Sequence, residues 1–414
     1  MLVQKHILLI GVADWNIETL KYSINSGLKI TLIFNNNIVL EKDIQAKLNK
    51  VIVCDITNIL LCVLHAQEIN SKDKLDGVVT FTEYGLESAT AIKTLLMING
   101  NDLLPIILTK NKQFMREHLK KYAPEISIPY KLIHNKQDLM DFWVAMGGAV
   151  IIKPTKGGGS INVKKIFSKD SIKSLNYDFT HETYMAELYI PGDDILNVET
   201  ISYNGQHALI VIGLEKISTS VNSCCITDII LPAPNLSPEL IERIFNAVRS
   251  FLNAIDVKNG INHTEIKIYN DKIYLIESQA RIGGGYIWYM AQEYTKYKQI
   301  EMCTRLFAGE HITLPAKFNN DTGIIYHNIW ILSNKPGRIK QIYGFESIKL
   351  HPNIIRLDIN ISIGQFISCN HDTTDLIGYA MLKGKDSNEI NKIRLELRDK
   401  FYLVYDDESI IMVF

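Results

Sequence analysis

Residues 260–285 read GINHTEIKIYNDKIYLIESQARIGGG, and this stretch decides how the chain folds. Two acidic residues in it, Glu265 and Glu277, stand twelve positions apart. Two alternating apolar runs, 263–269 and 272–277, flank the dipeptide Asn270-Asp271. Period-2 alternation on both sides of a polar turn predicts a β-hairpin. The side chains of Glu265 and Glu277 can then face the same side of the sheet. Two facing carboxylates repel unless a hard cation such as Mg2+ holds them together. Gln279 and Arg281 continue the second strand with the parity of Glu277. A metal-binding row ending in a guanidinium suits chemistry centred on phosphate. The plain alternative is an amphipathic hairpin with its charges on the wet face.

The rest of the chain narrows the choice. At 414 residues it is too long for one small domain, and two to four structural units are expected. Hydrophobic residues make up 47% and charged residues 21%, the balance of an ordinary soluble globular protein. Lys+Arg 44 against Asp+Glu 45 leaves a net charge of -1, so neither a nucleic acid nor a membrane surface is expected as partner. The 6 cysteines (Cys54, Cys62, Cys224, Cys225, Cys303, Cys369) form no CxxC pair and no metal-ligand spacing. They read as buried thiols in a reducing cytoplasm. The apolar run in MLVQKHILLIGV is brief and lacks a small-residue cleavage site, so it reads as a first strand. No apolar stretch approaches the roughly 20 residues that span a bilayer.

Over residues 1–110, strands at 6–12, 29–34, 51–56 and 77–81 alternate with helices at 17–26 and 83–98. That pattern predicts an α/β layer with a largely parallel sheet. The turn Gly11-Val-Ala-Asp-Trp is not GxGxxG, so a dinucleotide fingerprint is absent. Over 111–187, Asn111 caps a helix and strands are expected at 128–133, 149–154 and 162–167, with a helix at 138–146. The turn Lys156-Gly-Gly-Gly-Ser160 between the last two strands makes a flexible flap whose N–H groups can close over phosphates. It is not a Walker A loop, because no G-K-[ST] follows. Over 188–310, strands 195–203 and 207–215 flank Asn204-Gly205, a helix spans 238–254, and helices follow the hairpin at 287–296 and 299–308. Residues 311–414 read mostly as strands with one helix at 388–400, a terminal α+β lobe.

The order Lys112, Lys153 with its glycine turn, Glu187, Glu265, Glu277, Gln279, Arg281 resembles the ATP-grasp superfamily along nearly the whole chain. The resemblance is closest to carboxylate–amine ligases that make dipeptides, the L-amino-acid ligases. Stretches that carry it are Gly77-Val-Val-Thr-Phe-Thr-Glu-Tyr, Thr109-Lys-Asn-Lys-Gln-Phe-Met-Arg, Ile190-Pro-Gly-Asp-Asp with Val198-Glu-Thr-Ile, and His263-Thr-Glu through Ala280-Arg-Ile-Gly-Gly-Gly. The usual motif is E-x-N-x-R, so Gln279 departs from it by one methylene.

The resemblance implies an α/β (α+β) protein of ATP-grasp fold. It comprises an N-terminal Rossmann-like domain (1–110), a small flap domain (111–187), a catalytic domain with the metal hairpin (188–310) and a C-terminal α+β lobe (311–414). It implies that Lys112 and Lys153 contact ATP phosphates under Gly158, Gly159 and Ser160. Glu187, Leu188 and Ile190 would hold adenine through backbone groups, and Asp194 the ribose. Glu265 and Glu277, with Gln279, would ligate two Mg2+ ions, for which Mn2+ can substitute. Arg281 would bind the substrate carboxylate and, with Lys153, serve catalysis. Gly284, His263 and Glu83 complete the implied substrate site, with amino acids as substrates and a homodimer as a compatible assembly.

Blander readings stand beside these. Lys153 alone would be a strand-end lysine reaching for solvent. His263 alone would be structural, Glu83 a carboxylate at a helix N-terminus, the run 283–285 a plain loop, and Trp330 a core aromatic rather than part of an amine-side pocket. The leading functional expectation is an ATP-dependent ligase that joins amino acids through an acyl phosphate. The alternatives are an ATP-grasp ligase or carboxylase for another small carboxylate, and a non-catalytic nucleotide-binding protein. No carrier-lysine motif supports a biotin partner.

Overall fold

A computed structural model describes residues 4–12, 17–35, 39–218, 225–318, 323–333, 335–368 and 376–412. Cys224, Cys369 and residues 13–15 of the first turn lie outside this set. The N-terminal layer carries β1 (His6–Ile10), β2 (Lys29–Phe34), β3 (Lys50–Val53) and β4 (Gly77–Val79). They pair in parallel in the order β3-β2-β1-β4. Continuous apolar strands such as His6-Ile-Leu-Leu-Ile belong in such a sheet, buried on both faces by crossover helices.

A second sheet holds β5 (Tyr130–Ile133), β6 (Val150–Pro154), β7 (Lys164–Ile166) and β8 (Tyr184–Leu188), antiparallel in the order β5-β8-β6-β7. The strands that follow are β9 (Asp194–Tyr203), β10 (Gln206–Ile217), β11 (Ile226–Leu231), β12 (Gly260–Tyr269), β13 (Lys272–Gln279) and β14 (Ile325–Leu332). The last are β15 (Gly337–Tyr343), β16 (Ile354–Ile359), β17 (Phe366–Ile367), β18 (Leu376–Gly384), β19 (Tyr402–Tyr405) and β20 (Ile410–Met412). Eight of these form one antiparallel sheet, β13-β12-β9-β10-β11-β14-β18-β16. It runs from the hairpin into the C-terminal lobe, where β17-β15-β19-β20 make a further small sheet.

Local chemistry sets the boundaries that position the site. Asn270 and Asp271 take φ of 48° and 61°, and Asn204-Gly205 take 51° and 75°. Paired left-handed turn residues match the twist of tight hairpins. The helix Pro238–Ala254 starts where Ser237 accepts the Leu240 N–H and proline fills the first turn. One core cluster joins the N-terminal layer to the large sheet, bringing Ile7 and Leu9 together with Trp288, Ile300 and Phe307.

Several elements escaped the sequence reading. The helix Ile59–Lys72 opens Ile-Leu-Leu-Cys-Val-Leu and leaves Leu60 and Leu64 exposed, so no clean apolar stripe marks it. The helix Leu103–Lys110 carries Pro105 in its first turn, a tolerated place that reads as a break. β8, β11 and the short helix Phe345–Lys349 were also missed. The expected strand 77–81 stops at Val79, and the helix expected at 83–98 opens with a 3-10 turn, Glu83–Gly85, before Leu86–Leu96. Cys62, Cys225 and Cys303 are buried and Cys54 partly so, with no disulfide among the described residues. Among the described residues no helix is long and apolar enough to cross a membrane.

Candidate active site

A cavity of about 1280 Å³ opens where the N-terminal layer, the flap sheet and the large sheet meet. Small-ligand pockets typically measure roughly 300–1,000 Å³, so there is room for a nucleotide and a further ligand. All the expected site residues line it except Asp194, which sits exposed at the start of β9.

The hairpin forms the floor, with one departure from simple alternation. Tyr269 pairs with Lys272 across the two-residue turn, a register in which Glu265 would face Ile276. Instead Ile266 pairs with Leu275 and Glu265 with Glu277, leaving Ile276 as an extra residue. This bulge turns Glu277 to the face of Glu265, and both carboxylates reach the cavity. Glu277 Oε1 lies 3.3 Å from Lys112 Nζ and accepts from Gln279 Nε2 at 2.9 Å. Burial alone would raise the Glu277 pKa, but Lys112 and Lys153 outweigh it and hold the group below its usual range. Gln279 thus presents its amide nitrogen to Glu277 and braces that carboxylate.

Two lysines project from the flap side. Lys112 opens the helix Lys112–Tyr122, capped as expected by Asn111, and donates to the Gly157 carbonyl at 2.6 Å. Lys153 near the end of β6 is buried, its Nζ 2.7 Å from Glu187 Oε2. Arg116 Nε meets the other oxygen, Glu187 Oε1, also at 2.7 Å. Burial would raise the Glu187 pKa, but Arg116 and Lys153 depress it below the ordinary value. Burial lowers that of Lys153 despite Glu187. Gly157 and Gly159 take φ of 99° and 68°, which glycine reaches without strain.

The expected adenine hinge is partly engaged already. Glu187 is in β8, paired on both sides. The Leu188 N–H donates to Pro129 and the Tyr189 N–H to Ala149, so neither is open to a base. Lys267, absent from the sequence reading, lies buried here and anchors the carbonyls of Ile190 and Gly192.

At the other end Arg281 Nε donates to Glu83 Oε2 at 2.9 Å, and Lys110 Nζ lies 3.3 Å from Glu83 Oε1. Glu83 comes from the N-terminal layer, so this contact spans 198 residues of sequence. The Gly283 N–H donates to Glu199 Oε2 at 3.2 Å, while Glu199 Oε1 makes a short contact with His263 Nδ1. Burial opposes a charge on His263, yet Glu199 and then Glu265 raise its pKa to about 10. His263 and Glu199 together pin the glycine loop from beneath. A Cβ at Gly284 would meet no atom within 4 Å, whereas one at Gly285 would lie 2.8 Å from Ile229 and 2.9 Å from Trp330. Trp330 lines the cavity and packs edge-on against Tyr379, 5.4 Å between centroids.

Glu199, Glu215 and Arg116 had no sequence-assigned role. Glu215 is 2% exposed, lines the cavity, and its Oε2 has no hydrogen-bond partner among the described residues. Burial, then Glu265, pushes its pKa up to about 8. A lone acid ending the apolar run 208–214 was the available signal for Glu215. For Arg116 it was the four-residue spacing from Lys112 on one helix face.

Among the described residues no three His, Cys, Asp or Glu side chains converge into a ready metal cage. Two hard oxygen donors on a cavity floor, Glu265 and Glu277, with lysines aimed at the same space, fit a Mg2+ shared with ligand phosphates.

Residues 329–406 match the family model for L-amino acid ligase C-terminal domain 2. No curated protein sequence matches the chain. Among solved structures it is similar to an L-amino acid ligase from Bacillus licheniformis, at 20% identity and a TM-score of 0.81, covering 97% of this chain and 99% of that one. It is also similar to phosphoribosylglycinamide synthetase from Anaerococcus prevotii, at 16% identity and 0.71, covering 97% and 100%. A third is the biotin carboxylase domain dimer of Hydrogenobacter thermophilus 2-oxoglutarate carboxylase, in complex with MgADP, ADP and bicarbonate, at 15% and 0.71, covering 98% and 92%. The fold is ATP-grasp, α/β in class, and the chain resembles carboxylate–amine ligases of the L-amino-acid ligase type.

Proposed function

We propose that this chain is an ATP-dependent carboxylate–amine ligase that joins L-amino acids into a dipeptide or similar small amide, releasing ADP and phosphate. The observation that carries the reading is the convergence of Lys112, Lys153, the glycine turn, Glu265, Glu277 and Arg281 on one cavity. A carboxylate is a poor electrophile, and transfer of a terminal phosphoryl group gives it a leaving group. Lys112 and Lys153 offset the charge that spreads over the transferring group. Glu265 and Glu277 would hold Mg2+, which supplies further charge neutralisation and orientation at the phosphates. Arg281 receives the substrate carboxylate, and the glycine turn closes to exclude water from the acyl phosphate. An amine then attacks, with Trp330 and Tyr379 walling its side of the cavity.

Glu83 favours an amino acid over another small carboxylate as the group that is activated. It occupies Arg281 in the free protein. A substrate carboxylate that displaces it leaves Glu83 beside the guanidinium, placed to receive an α-ammonium. The test is a phosphate-release screen with ATP, Mg2+ and pairs of amino acids, with chromatography of the nucleotide and amide products. ADP with an amide is expected. AMP as the sole nucleotide product, or nucleotide turnover that no amino acid stimulates, would refute the proposal.

A further inference from the structure

Lys153 is expected to serve a phosphate, yet its ammonium is bound to Glu187. Taking it away would strand a carboxylate that is only 4% exposed. An unpaired buried charge is strongly destabilising, so Lys153 can leave only if Glu187 keeps another cation. Arg116 is that cation. It is 0% exposed and absent from the cavity wall, whereas Lys153 and Glu187 both line it. The two cations divide the carboxylate, Arg116 on Oε1 and Lys153 on Oε2. Two positive charges face one negative charge, and only the positive charge on the cavity side can move.

Arg116 has a second attachment. Its Nη2 donates at 2.6 Å to the carbonyl of Ile276, the extra residue of the hairpin bulge. An extra bulge residue lacks a ladder partner, and the guanidinium occupies its carbonyl. The same side chain thus braces the bulge that turns Glu277 toward the cavity. Lys112, four residues earlier on the same helix, reaches Glu277 itself.

We infer that Arg116 is a positioning residue that stands as the fixed counter-charge of Glu187, so that Lys153 can transfer from Glu187 to an incoming phosphate, while its second donor holds the Ile276 bulge. The inference rests on the reading of Lys153 as a phosphate-binding group. Arg116 itself touches no ligand.

The test measures affinity for a non-hydrolysable ATP analogue with Mg2+ in the full chain, with thermal unfolding as the check on folding. Arg116→Met leaves Glu187 with Lys153 as its sole cation and pins that lysine, so analogue affinity should fall by about tenfold or more. Adding Glu187→Gln to Arg116→Met releases Lys153 and should recover most of the loss, which a merely structural defect would not allow. Lys153→Met, which leaves Arg116 as the sole cation on Glu187, should weaken analogue binding yet fold with a thermal midpoint close to that of wild type. That arm keeps the inference testable if Arg116→Met does not fold. Wild-type affinity in Arg116→Met overturns the inference, as does a double variant weaker than Arg116→Met, or loss of the folded state in Lys153→Met. Failure of the wild-type chain to bind any analogue would overturn the nucleotide-site reading itself, and the inference with it.

Discussion

Replacing Gly283 by alanine should damage the site through packing alone. A Cβ built there lies 2.8 Å from Glu199 Oε1, 2.9 Å from His263 Nδ1 and 3.0 Å from Cβ of Ile287. Glu199 and His263 are 0% and 3% exposed, and they are bound to each other, so neither can swing into open space. Overpacking of this kind costs about 1–3 kcal/mol. If Glu199 retreats, the Gly283 N–H also loses its acceptor, and a buried unpaired donor adds roughly 1–3 kcal/mol. A loss of roughly 2–6 kcal/mol in total is therefore expected. Gly284→Ala is the internal control, because its Cβ meets nothing within 4 Å and its φ is not left-handed. That variant should stay within about 0.5 kcal/mol of wild type. Both are read by denaturant unfolding with matched slopes, alongside nucleotide turnover. Equal stability of the two variants would refute the claim that the Glu199–His263 pair pins the glycine loop.

Three further outcomes are expected. Glu277→Gln should remove an anionic metal ligand and lower turnover on the order of 100-fold or more, with folding retained; near wild-type activity in soluble protein would count against the metal role. Amide exchange at residues 157–160 should be fast in the free protein and slow on adding an ATP analogue with Mg2+, and unchanged exchange at saturation would argue against a phosphate-covering turn. Asp228 Oδ1 lies 2.8 Å from both His327 Nε2 and Arg394 Nη1. Burial would raise the Asp228 pKa, but these partners depress it from 3.8 to about 2. A carboxyl depressed on folding adds stability above its unfolded pKa and loses it as pH falls through the folded value. Wild type should thus lose roughly 2 kcal/mol from this group between about pH 5 and pH 2. Asp228→Asn should be less stable at neutral pH with a shallower acid limb, and parallel acid limbs would refute the assignment.

Much of this protein was legible without coordinates, because some features are local. Alternation around Asn270-Asp271 and Asn204-Gly205, the Asn111 cap and the apolar parallel strands rest on backbone preferences of neighbouring residues. The helices Ile59–Lys72 and Leu103–Lys110 were not legible, since one lacks a clean stripe and the other carries a proline. At the site the sequence marked Lys112, Lys153, Glu265, Glu277 and Arg281 by residue type and order. It assigned no role to Arg116 and left Glu83 between a substrate contact and a helix-end carboxylate, because their partners lie 71 and 198 residues away. It had no means of showing that Leu188 gives its N–H to Pro129, or that Asp194 stays outside the cavity. The hairpin shows where the division falls. Alternation led to the expectation that Glu265 and Glu277 share a face, but the two-residue turn by itself sets a register in which Glu265 faces Ile276. Only the folded chain, with Arg116 from a distant helix on the Ile276 carbonyl, accommodates the extra residue that brings Glu277 opposite Glu265. Local propensity acts over a few residues, whereas the bulge is braced by a buried cation that tertiary packing alone can deliver.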